Sequence, residues 1–414
     1  MKVQQHFFID DRAESTVSYE SLFSIFQQPG ISFSRNIRNA DPYVVFQDIL
    51  CSMICDQPIT VFDNDFSEEE ILKLCGTREP LFDQKSYTPL FHPETPADFI
   101  QKCRELKKWT ITLFTSGTTG LPKKIAHTFP AFVRAVKTGK NHEQDIWGFA
   151  FNPTHMAGLQ VFFQAFLNGN TLINLFNGDR SFILDQIGKH GITHLSATPT
   201  FYRMLLPYEK PCPSVKQLTS GGEPFSEKVR EQLSMIFPNA RITNVYASTE
   251  AGSLFAAEGE SFIVKENLQP FVRIEENELL IHSSLTGASE SISLKGDWYH
   301  TGDLVEVLQE QPLRFRFVSR KNEMINIGGY KVNPNEVEEA ILRLEGVRDV
   351  RVFGKKNSVT GNILCCEILQ ETADLTERGV RTALEGKIQD FKIPRIIRFV
   401  SVISTSRTGK KNRN

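Results

Sequence analysis

The chain has 414 residues, 40% of them hydrophobic and 23% charged, the profile of an ordinary folded globular protein of two or three domains. A formal net charge of −2 supplies no basic footprint, so neither nucleic acid nor a membrane surface is expected as a partner. The opening MKVQQHFFIDD lacks the apolar core of a leader, and no apolar run approaches the ~20 residues of a membrane span.

The elements follow from periodicity and punctuation. Ser18 is placed to cap a helix that begins at Tyr19-Glu20-Ser21-Leu22. Pro42 to Ile54 has helical apolar spacing, Ile59 to Phe62 reads as a strand, and Ser67-Glu68-Glu69-Glu70 opens a further helix with acids in its first turn. Cys51, Cys55, Cys75, Cys103, Cys212, Cys365 and Cys366 show no CxxC or zinc spacing, which fits structural thiols and a cytoplasmic location. The 32 phenylalanines are expected mostly in the core.

Thr110 to Phe114 is rich in β-branched and apolar residues, as a strand needs. Thr115-Ser116-Gly117-Thr118-Thr119-Gly120 follows, closed by Leu121-Pro122-Lys123-Lys124. Its hydroxyls, backbone N–H groups and lysines suit a polyphosphate, and its glycines allow close approach. The Walker A spacing GxxxxGK[ST] does not fit. Taken alone, a loop of this composition also reads as a flexible linker.

Beyond it, helices are expected over Phe129–Lys137, Leu159–Leu167, Arg180–Lys189 and Ser226–Met235. Strands are expected over Asp145–Asn152, Thr171–Leu175, His194–Ala197, Gln217–Ser220 and Arg241–Tyr246. Such alternation implies a parallel α/β arrangement. Short strands over Phe271–Ile274, Glu278–His282, Leu304–Leu308 and Arg314–Val318 then suggest an antiparallel barrel or sheet. After Arg320 the pattern becomes α+β, with helices at Asn335–Leu344 and Leu375–Gln389 and strands at Val347–Gly354 and Gly361–Leu369.

Five stretches in order carry a resemblance: TSGTTGLPKK (Thr115–Lys124), YASTEAG (Tyr246–Gly252), GDWYHTGDL (Gly296–Leu304), SRKNEMINIGGYKVNPNEVE (Ser319–Glu338) and SRTGKKNR (Ser406–Arg413). Together they resemble the adenylate-forming superfamily of acyl- and aryl-CoA synthetases, stand-alone adenylation enzymes and beetle luciferases. The resemblance implies an α/β fold with a large N-terminal domain of βα layers, residues 1–321, holding ATP and acid. It implies a small antiparallel β-barrel subdomain within it, over 240–320, and a small mobile α+β C-terminal domain, residues 322–414. It also implies the chemistry: a carboxylic acid and ATP give acyl-AMP and pyrophosphate, and a thiol then displaces AMP.

Roles carry over by resemblance. The Thr115–Gly120 loop and Lys123 would hold pyrophosphate, whose departure depends on positioning and charge. Glu250 would bind Mg2+, which prefers hard oxygen ligands. Thr249 would bond the α-phosphate and Tyr246 would stack on adenine, with Ala247 and Ser248 alongside. Gly221-Gly222-Glu223-Pro224 resembles the turn along adenine and the acyl pocket. Asp303 would accept both ribose hydroxyls, and Arg320 would reach ribose or phosphate with a permanent charge. His155 sits where the family has a His or aromatic gate, and Lys410 is the catalytic lysine that meets developing negative charge.

The chain departs from the pattern at Lys124, Ala247, Asn322 and Asn326. The last two bear on domain rotation, whose hinge is expected at Lys321-Asn322. The leading expectation is an acid–thiol ligase with CoA or a carrier protein's phosphopantetheine as acceptor, acting on an aromatic or apolar acid. A siderophore-type enzyme loading an aryl acid onto a carrier protein, and a luciferase-type oxygenase, share the same first half-reaction.

Overall fold

The computed structural model describes the chain apart from residues 1–4, 76–81, 116–121, 207–209, 224–226, 260, 290–291, 293, 328–329, 358–360, 372–373, 406–410 and 412–414. Among the described residues, one sheet runs through fourteen strands. Its parallel part has the spatial order Thr171–Asn174, Ile146–Phe149, His194–Ala197, Gln217–Gly221, Arg241–Ser248. His6–Asp10 adds in parallel beside Thr171–Asn174. Chain order thus reverses at Ile146–Phe149, and open α/β sheets bind ligands outside the carboxyl ends of strands at such a reversal.

A second sheet lies apart. Asn36–Ile37, Ile59–Val61 and Thr110–Thr115 run parallel, and Lys123–Thr128 returns antiparallel to Thr110–Thr115. Helices Pro42–Ile54 and Met156–Phe166 share one core with strands of both sheets. Their rings meet directly, Phe46 stacking on Phe162 with centroids 4.2 Å apart; Phe166 stacks on Phe162 in turn, and Phe7 and Phe99 meet Phe166 edge-on. Many of the phenylalanines therefore fill this seam. Full burial of one such ring is worth about 1.5–3 kcal/mol. Helices Arg180–His190 and Glu227–Ile236 contribute to a second core on other residues of the large sheet.

Several boundaries differ from expectation. Lys123 and Lys124 begin a strand instead of closing a loop, so the glycine loop joins two arms of a hairpin, with Thr115 opposite Lys123. The helix expected over Phe129–Lys137 covers Phe129–Phe132 alone. The side chains of Gln164 and Asn168 bond the Lys137 backbone and draw the chain out of helical register. The helix expected over Leu375–Gln389 covers Glu377–Leu384, where Glu385 turns extended and Gly386 takes a left-handed φ of 72°.

Among the described residues, the antiparallel strands after Tyr246 extend the large sheet: Gly252–Glu258, Ser261–Ile263, Arg314–Arg320, Trp298–Gln309, Glu278–His282 and Val272–Glu275 follow in spatial order. Gly252–Glu258 was not anticipated. Residues after Lys321–Glu323 build a separate core around Val332, Val337, Val350, Ile368 and Ile397. In it Pro334–Leu342 packs on the hairpin Val347–Asn357 and Gly361–Gln370, with Ile396–Phe399 added in parallel.

Candidate nucleotide and acid site

Asp303 is the centre of the site. It is 2% exposed, and both carboxylate oxygens are engaged: Tyr246 Oη donates to Oδ2 at 2.6 Å and Arg320 Nε to Oδ1 at 2.8 Å. The pairing is built by strand register, since Asp303 lies directly opposite Arg320. The neighbouring Asp303 carboxylate raises the Arg320 guanidinium further above its ordinary value. Burial, and then Asp303, push the Tyr246 phenol well up, so it remains a proton donor to that carboxylate. The Tyr246 ring packs against Phe255 and Phe262.

The turn carrying Asp303 has its own support. Gly302 adopts φ 75°, a conformation costly for residues with a Cβ. Its N–H donates to Glu278 at 2.9 Å, and His300 Nδ1 and Lys321 Nζ reach the same carboxylate at 3.0 and 2.7 Å. Burial would raise the Glu278 carboxyl, but these three donors outweigh it and hold it below the usual value. Glu278 thus ties the Thr301-Gly302-Asp303 turn to Lys321, the first residue of the segment between the two cores. Sequence reading missed it, because an alternating strand offers no sign of which acid faces inward.

Glu250 follows on the turn between Arg241–Ser248 and Gly252–Glu258. Its carboxylate is a hydrogen-bond partner of Tyr299, and it adds to the favourable field on Arg320. Ser248 Oγ accepts the N–H of Ala251, and Gly287 N–H donates to the Glu250 carbonyl. His127, on the returning arm of the glycine-loop hairpin, lies with Nε2 2.8 Å from the Thr249 carbonyl. Since a carbonyl only accepts, Nε2 carries the hydrogen. This contact couples the glycine-loop hairpin to the Thr249–Glu250 turn, and His127 was not anticipated.

Lys123 stands opposite Thr115 at the mouth of that hairpin. Ser116, Gly117, Thr118, Thr119 and Gly120 lie outside the described residues, as do Pro224 and Lys410. One strand from Tyr246, Gly221 sits so close to Val245 that an added Cβ would come within 2.9 Å of its side chain, and Gly222 takes φ 84°. Glu223 is engaged elsewhere: Thr200 Oγ1 donates to both its oxygens and Arg203 pairs with it at 3.2 Å.

Arg203 also lies 3.1 Å from Asp349, which belongs to the second core, and Asp349 pairs with Lys411 at 2.8 Å. Lys411 Nζ further donates to the Val350 carbonyl and lies 3.5 Å from Glu338. The residue next to Lys410 is thereby anchored in a buried charge cluster that joins the two parts of the chain.

His155 precedes helix Met156–Phe166 at the N-cap position but makes no capping bond with its side chain. Its Nε2 lies instead 2.6 Å from Asp63 Oδ2, and Asn152 Nδ2 donates to Asp63 Oδ1 at 3.1 Å. Burial alone would raise the Asp63 carboxyl, but hydrogen bonds from His155, the Asp65 backbone and Asn152 hold it below the ordinary carboxylate value. Both partners lie just beyond the carboxyl ends of parallel strands, Ile59–Val61 and Ile146–Phe149. Asp63 too was missed; its place just past a strand end was the available signal.

Comparison with known proteins bears on the family and the fold. Residues 50–271 match the model described as AMP-binding enzyme, and residues 336–410 match that of the AMP-binding enzyme C-terminal domain. A 2-succinylbenzoate–CoA ligase of Listeria monocytogenes is 25% identical over 362 residues, covering 80% of this chain and 74% of that protein. Another of Bacillus pumilus is 24% identical over 402 residues, covering 87% and 81%. Bacillus subtilis o-succinylbenzoate CoA synthetase (MenE), in complex with the acyl-adenylate intermediate OSB-AMP, superposes with a TM-score of 0.70 at 18% identity, covering 99% of this chain and 94% of that one. ATP-bound MatB of Rhodopseudomonas palustris gives 0.71 at 16% identity, covering 99% and 94%. At such identities the structural likeness concerns the fold, but a family model spanning more than half of the 414 residues shows descent, and the chain belongs to the AMP-binding enzyme family.

Proposed function

We propose that this protein is an AMP-forming acid–thiol ligase that activates a small aromatic or apolar carboxylic acid with ATP and passes the acyl group to CoA. The observation that carries the reading is the buried Asp303 carboxylate, held between Tyr246 and Arg320 in the Thr301-Gly302-Asp303 turn. A fixed carboxylate of this kind accepts hydrogen bonds from the two adjacent hydroxyls of a ribose. Charged hydrogen bonds of this sort contribute about 1.5–3 kcal/mol. The first two curated relatives act on 2-succinylbenzoate by name, which supports an aromatic acid.

The chain's residues divide the work. Asp303 and Arg320 hold the ribose, and the glycine-loop hairpin with Lys123 holds the β- and γ-phosphates. A carboxylate oxygen of the acid attacks the α-phosphorus, and pyrophosphate leaves with the electron pair of the broken P–O bond. Lys410 offsets charge at that centre. The thiol sulfur then attacks the acyl carbon and AMP leaves, after the part of the chain beyond Lys321-Asn322 has turned. Glu250, a hard anionic ligand within the cluster, suits Mg2+, which usually takes one or two carboxylates and completes its shell with phosphates and water. Bound there, the ion would neutralise polyphosphate charge.

The reading is tested by pyrophosphate exchange over a panel of benzoic, succinylbenzoic and medium-chain fatty acids, repeated with CoA and with a phosphopantetheinylated carrier protein. Acid-dependent exchange followed by acyl-CoA formation is expected. No exchange with any acid would overturn the reading, and thioester formed on the carrier alone would replace CoA as acceptor. Asp303→Asn is expected to raise KM for ATP about tenfold or more and to erode the preference for ATP over 2′-deoxy-ATP. An unchanged preference would remove Asp303 from the ribose. Glu250→Gln is expected to shrink the rise in melting temperature given by ATP with magnesium, as followed by calorimetry with and without the metal.

A further inference from the structure

Asp63 is absent from the five stretches that carry the family resemblance, yet it is the most heavily bonded acid beside His155. Thr60 pairs with Thr112 in parallel register, so three residues on Asp63 comes level with Thr115, where the glycine loop begins. Phe62 fixes that level by packing on Phe114, ring centroids 4.9 Å apart. From the other sheet, Asn152 crosses to Asp63 Oδ1, while its own Oδ1 accepts the N–H and hydroxyl of Thr154. His155 N–H in turn donates to the Asn152 carbonyl. The carboxylate therefore stitches the end of the phosphate hairpin's sheet to the His155 turn.

The chemistry of the pair is directional. A carboxylate that is ionised only accepts, so His155 Nε2 must carry its hydrogen toward Asp63. Among the described residues no partner is assigned to Nδ1. The Asp63 side chain is 7% exposed and the imidazole 19%, so the acid is shut away while the ring keeps an open edge. Burying an anion without a counter-charge is costly. Among the described residues, the hydrogen bonds from His155, Asn152 and the Asp65 N–H offset that cost.

We propose that Asp63 is the positioning residue of the site, holding the imidazole of His155 by Nε2 so that Nδ1 is presented to the acid and the α-phosphate. With the ring neutral, Nδ1 accepts a hydrogen bond; with the ring protonated, it donates one to an anionic oxygen. Asp63 fixes the angle at which that nitrogen is offered. It touches neither substrate itself. This inference rests on the proposed function and on the family resemblance by which His155 stands at the gate.

Asp63→Asn, His155→Ala and the double variant are compared in acid-dependent pyrophosphate exchange, with rates expressed per active site titrated by adenylate burst. His155→Ala is expected to lower kcat. Asp63→Asn is expected to lower kcat about tenfold, the scale on which losing an orienting carboxylate acts, with KM for ATP changed less than about twofold. In the His155→Ala background the same substitution is expected to add nothing further, because its effect runs through the ring. Asp63→Glu keeps the buried charge and displaces the ring, and is expected to lose activity to a similar degree. Multiplying losses in the double variant would show a merely structural carboxylate and overturn the inference. Normal kcat in Asp63→Asn and Asp63→Glu, with His155→Ala impaired, would overturn it and leave the role of His155 intact. Normal kcat in His155→Ala would overturn both together.

Discussion

Lys410→Ala is expected to abolish acid-dependent pyrophosphate exchange, a loss of about 10²–10³-fold or more, on the scale of removing one donor from a developing charge. The same variant, supplied with acyl-adenylate and the thiol, is expected to form thioester at near the wild-type rate. The asymmetry follows from where the residue sits in the chain. Lys411, next to it, is fastened by Asp349, Glu338 and the Val350 carbonyl to the part of the chain beyond Lys321. We therefore expect Lys410 to travel with that part, and a rotation for thiol attack would carry its charge away from the α-phosphate. Measuring the two half-reactions separately decides the matter. Exchange that persists in the variant would make Lys410 an ordinary tail cation. Loss of both steps would mean that the two steps share one arrangement.

Arg203→Ala is expected to give the largest loss of stability, about 3–5 kcal/mol, because it removes the cation shared by two buried carboxylates, leaving Glu223 with the Thr200 hydroxyl and Asp349 with Lys411. Arg203 lies between Glu223 at 3.2 Å and Asp349 at 3.1 Å, and it and both acids are under a tenth exposed. Those acids lie on opposite sides of the joint, since Glu223 follows Gln217–Gly221 and Asp349 lies in Val347–Asn357. Further bonds flank the pair, from Arg348 to the Leu206 carbonyl and from Lys228 to the carbonyls of Leu342 and Val347. Loss of Arg203 is therefore expected to split a single calorimetric transition into two, with the part beyond Lys321 melting first. A single transition of unchanged midpoint would show that the cluster carries no coupling. Acid acts in the same direction. Burial would raise the Asp349 carboxyl, but Lys411 and Arg203 hold it below its ordinary value. Its contribution is therefore complete above about pH 4 and is lost as the pH falls through the depressed value.

Periodicity and punctuation alone determined much of this protein. Apolar spacing marked Pro42–Ile54 to the residue, and the Gly221-Gly222 pair marked a strand end, since these signals are local and survive any tertiary arrangement. The five motifs placed Tyr246, Asp303 and Arg320 in one site before any geometry was known. Tertiary structure decided what those residues do with their side chains. Tyr246 bonds Asp303 because the two strands carrying them lie in one continuous sheet, and Glu223 meets Arg203, which also reaches Asp349 of the second core. The strand from Lys123 was illegible for a related reason: two lysines after a proline resemble a loop, and only pairing with Thr110–Thr115 makes them a strand. Asp63, Glu278 and His127 carry no sequence signature, because each acts on a partner at least 22 residues away, His155, His300 and Thr249 respectively. Such contacts arise only when strands distant in the chain are laid side by side, and that is a property of the folded sheet.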